Sequence, residues 1–134
     1  MNINIIEYFE STVNLYPDKS ALVDSYSKLN FRELQQKAKL ISSKISNNYD
    51  LFNQPIAIFL PKANDSVVSF IATLYSGNCY APIDTKNPIE RIKSILNVLK
   101  PLCILTNKEY EEKLRQCNLE IDIINIDSIE SDET

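Results

Sequence analysis

Asp84 and Arg91 form the one polar pair in this chain whose placement suggests a site. Asp84 follows the apolar run Cys79-Tyr80-Ala81-Pro82-Ile83, and open α/β sheets hold ligands just past such strand ends. Arg91 lies one turn into the helix that follows. The plainer reading is that Asp84 satisfies loop amides, while Arg91 makes a structural ion pair or covers the sheet with its stem. Glu109, Glu111 and Glu112 cluster near the start of another helix, where acidic side chains suit the macrodipole and need no metal. Seven tyrosines could stack bases, but they are scattered over different elements with no basic groove between them. Cys79, Cys103 and Cys117 are widely spaced, odd in number and set in apolar or helical patterns, so buried reduced thiols are expected. There is no histidine, which removes Ser-His and Cys-His nucleophile pairs and the commonest transition-metal ligand. Gly77 is the single glycine, and a phosphate cradle built on glycine-rich backbone cannot be written from this chain. Neither a catalytic residue nor a cofactor or metal ligand is assigned within it.

The elements that must position these residues follow from hydrophobic period and punctuation. Ile5 or Ile6, Phe9 and Val13 recur at three- and four-residue steps, predicting a helix over 3–14 that lies against a sheet and ends at Tyr16-Pro17. Ser20 to Asp24 and Lys28 to Asn30 read as a hairpin-like pair around Ser25-Tyr26-Ser27. Asn30 and Glu33 are spaced as a capping box, opening a helix to about Asn47 with Phe31, Leu34, Ala38, Ile41 and Ile45 on one face. Ile56 to Leu60, bounded by Pro55 and Pro61, reads as a strand covered on both faces.

A helix over about 65–76 should stop at Gly77, the residue most tolerant of positive φ. Cys79 to Ala81 is then a short buried strand closed by Pro82. Asn87 as cap, Pro88 at the first helical position and Glu90 at the third restart a helix carrying Ile89, Ile92, Ile95, Leu96 and Leu99. Leu102 to Leu105 is a buried strand, Asn107 caps a helix bearing Tyr110, Leu114 and Cys117, and Ile121 to Ile126 is a final strand. Alternation of strand and helix predicts an α/β fold: a mostly parallel sheet with helices on both faces. Residues 1–126 form one domain, and from Asp127 the core signal fades into an acidic tail.

Composition narrows the function classes. A chain of 134 residues suits one domain with one real core. A formal charge of −4 disfavours nucleic acid and anionic membrane as partners. No stretch approaches the roughly 18 consecutive apolar residues of a membrane span, and no signal peptide is visible, so a soluble, cytoplasmic chain is expected.

Three stretches carry a family resemblance. Gly77, Tyr80, Pro82, Asp84, Pro88, Glu90, Arg91 and Ile92, with the apolar helix before them, resemble a motif of the adenylate-forming ligases. Leu29-Asn30-Phe31-Arg32-Glu33-Leu34 is similar to the leucine, polar, aromatic, any, glutamate, leucine signature near the start of these enzymes. Phe9 through Tyr16-Pro17-Asp18-Lys19-Ser20-Ala21-Leu22-Val23 is a third match. Together they cover roughly residues 5 to 126, and the chain looks like the N-terminal part of a much longer ligase.

The resemblance implies carboxylate activation with ATP and Mg²⁺ to an acyl-adenylate, then transfer to a thiol. Ala81-Pro82-Ile83-Asp84 and Pro88-Ile89-Glu90-Arg91-Ile92 look closest to amino-acid adenylation domains of nonribosomal peptide synthetases and to D-alanine:carrier-protein ligases. Leu29, Phe31, Glu33, Leu34, Gly77, Tyr80, Pro82, Asp84, Pro88 and Arg91 are then scaffold positions. Nucleotide, Mg²⁺ and acyl substrate would be held further along, toward which residues 127–134 would lead. Implied partners are the remainder of the ligase, in cis or as a split component, and a carrier protein. By itself the chain is expected to be inactive. A stand-alone binding or regulatory module derived from this scaffold is the alternative. A flavodoxin-like or receiver domain fits the fold class but not the missing phosphate loop and acidic pocket.

Overall fold

A computed structural model describes residues 5–129. Helix α1 (Ile5–Leu15) leads into a hairpin of β1 (Ser20–Val23) and β2 (Lys28–Asn30), then α2 (Phe31–Asn48). Alternation follows: β3 (Pro55–Ile58), α3 (Asn64–Tyr75), β4 (Cys79–Pro82), α4 (Ile89–Leu99), β5 (Ile104–Thr106), α5 (Lys108–Arg115) and β6 (Ile123–Asn125). A 3-10 turn, Ile126–Ser128, ends the described chain. The first two strands pair antiparallel, and the other four form a wholly parallel sheet in the order β4-β3-β5-β6. Among the described residues no helix is long and apolar enough to cross a membrane.

Side-chain alternation along β3 divides the core in two. Ile56, Ile58 and Leu60 face α2 and α3, with Leu34, Ala38, Ile41, Ile45, Val68 and Ala72. Ala57 and Phe59 face the other way, against Ile92, Leu96, Leu114 and Cys117 of α4 and the α5 end. Each fully buried Ile or Leu contributes about 2 kcal/mol of burial energy, so both faces must be covered for the sheet to stand. This is the doubly covered parallel sheet that the alternation predicts.

Two helix starts form as their sequences dictate. Asn30 Oδ1 accepts from the Glu33 amide at 2.8 Å while Glu33 Oε1 accepts from the Asn30 amide at 2.9 Å, closing the capping box of α2. Asn107 Oδ1 accepts from the Tyr110 amide at 3.1 Å to start α5. The stop of α3 is also as expected, with Gly77 at φ +80°.

Several expectations are corrected. Cys79 and Tyr80 are exposed, because β4 is an edge strand and not an inner one. The Cys79 amide donates to Gln54 O, just before β3, and the Ile83 amide to Ile58 O at its end, which turns the backbone groups of Tyr80 and Pro82 outward. Pro82 therefore belongs to β4, paired in register with Ile58, at a position where a missing N–H breaks no bond. Asn87 does not cap α4. The N-cap is Pro88, which has no side-chain acceptor, and its carbonyl receives the Arg91 and Ile92 amides at 3.0 Å.

Helix α1 lies on α2 and α3 and not on a sheet: Phe9 meets Phe31 and Tyr75 with centroids 6.5 and 6.3 Å away. Its opposite side, Ile5, Tyr8 and Leu15, is exposed. Order also continues past Asp127, since Ile129 packs on the core beside the 3-10 turn. The proposed tail residues 130–134, like residues 1–4, lie outside the described residues.

Candidate functional site

Strands β3 and β4 are joined across one face and β5 and β6 across the other, so the winding reverses between β3 and β5. Parallel α/β sheets place ligands at the C-terminal edge by such a reversal. Here that edge is made by Phe59-Leu60-Pro61 after β3, Thr106-Asn107 at the end of β5, Asp84-Thr85-Lys86 after β4 and Asn125 to Asp127 after β6. Thr106 is fully buried and its Oγ1 donates to Phe59 O at 2.8 Å, sewing the two central strands together where they end.

Three helix N-termini open on this edge, and two are filled by carboxylates from other elements. Asp24 at the hairpin tip accepts from the Asn64 amide of α3 through Oδ2 at 2.8 Å. Its Oδ1 accepts from the Tyr26 and Ser27 amides, each at 2.8 Å. The Asn64, Tyr26 and Ser27 amides together hold the Asp24 carboxyl below its ordinary value. Asp127 Oδ2 accepts from the Lys108 amide of α5 at 2.9 Å. The anion-binding capacity of both helix ends is thus met by the chain itself.

A groove of about 300 Å³ opens between α2, the start of α3 and the 3-10 turn, lined by Lys37, Leu40, Asp65, Val68, Asp127 and Ile129 among others. Burial, with Asp127 nearby, raises the Asp65 carboxyl above its usual range. Among the described residues no group of three or more His, Cys, Asp or Glu is placed to hold a metal ion.

The structure separates the residues that the sequence singled out. Asp84 is exposed, and its Oδ1 accepts from the Lys86 amide at 2.9 Å while its carbonyl accepts from Asn87. Arg91 is exposed on α4, and none of the described ion pairs joins the two. Loop satisfaction is what the geometry gives Asp84. Leu29 and Leu34 lie in the core, Phe31 meets Phe9, and Glu33 closes its cap. Gly77 terminates α3 and its carbonyl accepts from Asn53 at 2.8 Å. The Tyr80 ring stacks on Phe70 at 4.4 Å, and Pro88 starts α4.

Asp24, Asn64, Asp127 and Lys113 were not legible as partners. Lys113 Nζ reaches from α5 to Thr85 O at 2.8 Å and pins the loop that carries Asp84. The one available signal was Asp24 ahead of Ser-Tyr-Ser, an Asx-turn pattern; its bond to a residue forty positions away leaves no local trace.

The model of the family "AMP-binding enzyme" matches residues 9–133. The dimodular nonribosomal peptide synthase of Bacillus subtilis (strain 168) is 29% identical over 112 residues, which are 84% of this chain and 5% of that protein. Tyrocidine synthase 1 of Brevibacillus parabrevis is 24% identical over 129 residues, 96% of this chain and 12% of that protein. The chain therefore spans a small share of the curated relatives it matches. Among solved structures, VinN in complex with 3-methylaspartate superposes with a TM-score of 0.84 at 17% identity, covering 93% of this chain and 35% of VinN. The nonribosomal peptide synthetase FmoA3, in a form bound to α-methyl-L-serine-AMP, gives 0.84 at 20% identity, covering 95% and 14%. These two show a shared fold, and the family match across nearly the whole length shows that the chain belongs to the AMP-binding enzymes.

Proposed function

We propose that this chain is the N-terminal scaffold part of an AMP-forming ligase. The complete enzyme would activate a carboxylate, an amino acid foremost, by attack on the α-phosphate of ATP, giving acyl-adenylate and pyrophosphate. A carrier-protein thiol would then take the acyl group and release AMP. The observation that carries this reading is the family match over residues 9–133, with relatives that are synthases of far greater length. The motif residues support it by their placement: Gly77 to Arg91 runs from a helix stop through an edge strand to the loop and helix at the C-terminal edge of the sheet.

The described residues do not fit ATP with Mg²⁺. The N-termini of α3 and α5 are taken by Asp24 and Asp127, no group of three or more His, Cys, Asp or Glu among the described residues is placed to hold a metal ion, and the chain has no glycine-rich loop. Nucleotide and Mg²⁺ would therefore be held by the remainder of the ligase, and the role of this chain is to supply the sheet against which that site is built.

The test is amino-acid-dependent pyrophosphate exchange. Residues 1–134 alone should show none and should not bind ATP at micromolar concentration by calorimetry. Joined in cis to, or mixed with, a polypeptide carrying the rest of an adenylation domain, exchange should appear. Activity from the chain alone would refute the scaffold reading, and a complement that binds without any exchange would shift it to a regulatory module.

A further inference from the structure

The β1–β2 hairpin pairs with no strand of the four-stranded sheet. Its tip is nonetheless tied to that sheet's C-terminal edge by a reciprocal set of hydrogen bonds. Asp24 Oδ2 accepts from the Asn64 amide at 2.8 Å, and Asn64 Nδ2 donates back to Ser27 O at 3.0 Å and Ser27 Oγ at 2.8 Å. Asp24 Oδ1 meanwhile accepts from the Tyr26 and Ser27 amides, which holds the tip in the shape that presents Ser27. Asn64 is 4% exposed, so its amide groups have no water to fall back on.

The helix these bonds serve cannot cap itself. Ala63 stands at the N-cap of α3 and has no side-chain acceptor. Within the helix, Ser66 Oγ accepts from the Ala63 amide, which leaves the Asn64 amide to an acceptor from elsewhere. A carboxylate is the strongest acceptor available at a helix N-terminus, and the hairpin delivers one.

We propose that the hairpin is a strap that sets the turn between β3 and α3, with Asp24 acting as the N-cap of α3 from forty residues away. Residues 61–63 lie in the connection from β3 to α3, at the C-terminal edge of the sheet beside the switch between β3 and β5, so the strap governs the backbone at that edge. The inference stands on this geometry and not on the ligase reading, and either can fail without the other.

Amide hydrogen exchange, followed by NMR on the full chain, tests it. Asp24→Ala should speed exchange at the Asn64 amide, and at the Ala63 amide bonded to Ser66 Oγ, by about fivefold or more relative to Ile104 and Leu105 of β5. Asp24→Asn keeps an acceptor oxygen and should retain most of the protection. If Asp24→Ala does not fold, Ser27→Ala removes one acceptor of Asn64 Nδ2 and is read in the same way. Exchange that is unchanged at the turn, or raised equally in β5, would overturn the proposal.

Discussion

At Gly77 the backbone sits at φ +80°, and a Cβ placed there would lie 2.9 Å from the Phe52 ring. Phe52 is exposed and can swing away, so the dihedral decides the outcome. Gly77→Val should cost about 1–2 kcal/mol in urea unfolding, and an unchanged midpoint would contradict this. Lys100 poses the opposite case: it ends α4 in the left-handed region, φ +50° and ψ +59°. Lys100→Gly should raise stability by up to about 1 kcal/mol, read from the thermal midpoint.

The three thiols should differ sharply. Cys79 is exposed and should react with a chromogenic disulfide reagent at once, whereas Cys103 and Cys117 should react only on unfolding. Burial, with Asp122 nearby, pushes the Cys103 thiol from 9.0 up to about 12. Since its folded value exceeds the unfolded one, its stabilising contribution is intact below pH 9 and is lost as pH rises from 9 toward 12. Cys103→Ala should flatten that alkaline limb, and burial raises Tyr49 in the same direction, so some slope should remain.

Among elements, legibility followed whether the deciding contact was local. Asn30 with Glu33 and Asn107 with Tyr110 are three-residue interactions, and both caps were visible as spacing. Asn30→Ala should accordingly cost about 1 kcal/mol in chemical unfolding, with loss of helicity at the start of α2. The misreadings arose where tertiary context chose between equal local signals. An apolar triplet such as Cys79-Tyr80-Ala81 suits an inner or an edge strand alike, and the choice depends on strand order. Similarly, the spacing of Phe9 and Val13 shows that α1 has a buried side but not that α2 and α3 are what buries it. Asn87-Pro88 held two starting signals in succession, and the proline, whose fixed φ suits either place, took the cap.

For the molecule as a whole, the parallel sheet and its coverage on both faces were legible because strand and helix periods alternate without interruption. The candidate edge was less so: Asp24, Asp127 and Lys113 act across elements, through bonds with no sequence period. The exposed side of α1, with Ile5, Tyr8 and Leu15 at helical spacing, leaves an apolar surface open on the isolated chain. Light scattering should show reversible self-association that Tyr8→Glu with Leu15→Glu abolishes. A strictly monomeric parent chain would contradict this.

Pro82 has one more consequence, for behaviour in crowded solution. Its ring occupies an outward position of β4, so a second molecule adding a strand there would find the Tyr80 amide and then no further donor before the strand ends. Pro82→Val would restore the donor beside exposed Tyr80 while leaving the bonds to β3 intact. That variant should stay folded yet form thioflavin-positive fibrils sooner than the parent under agitation, because its edge then reads as a template for cross-β stacking.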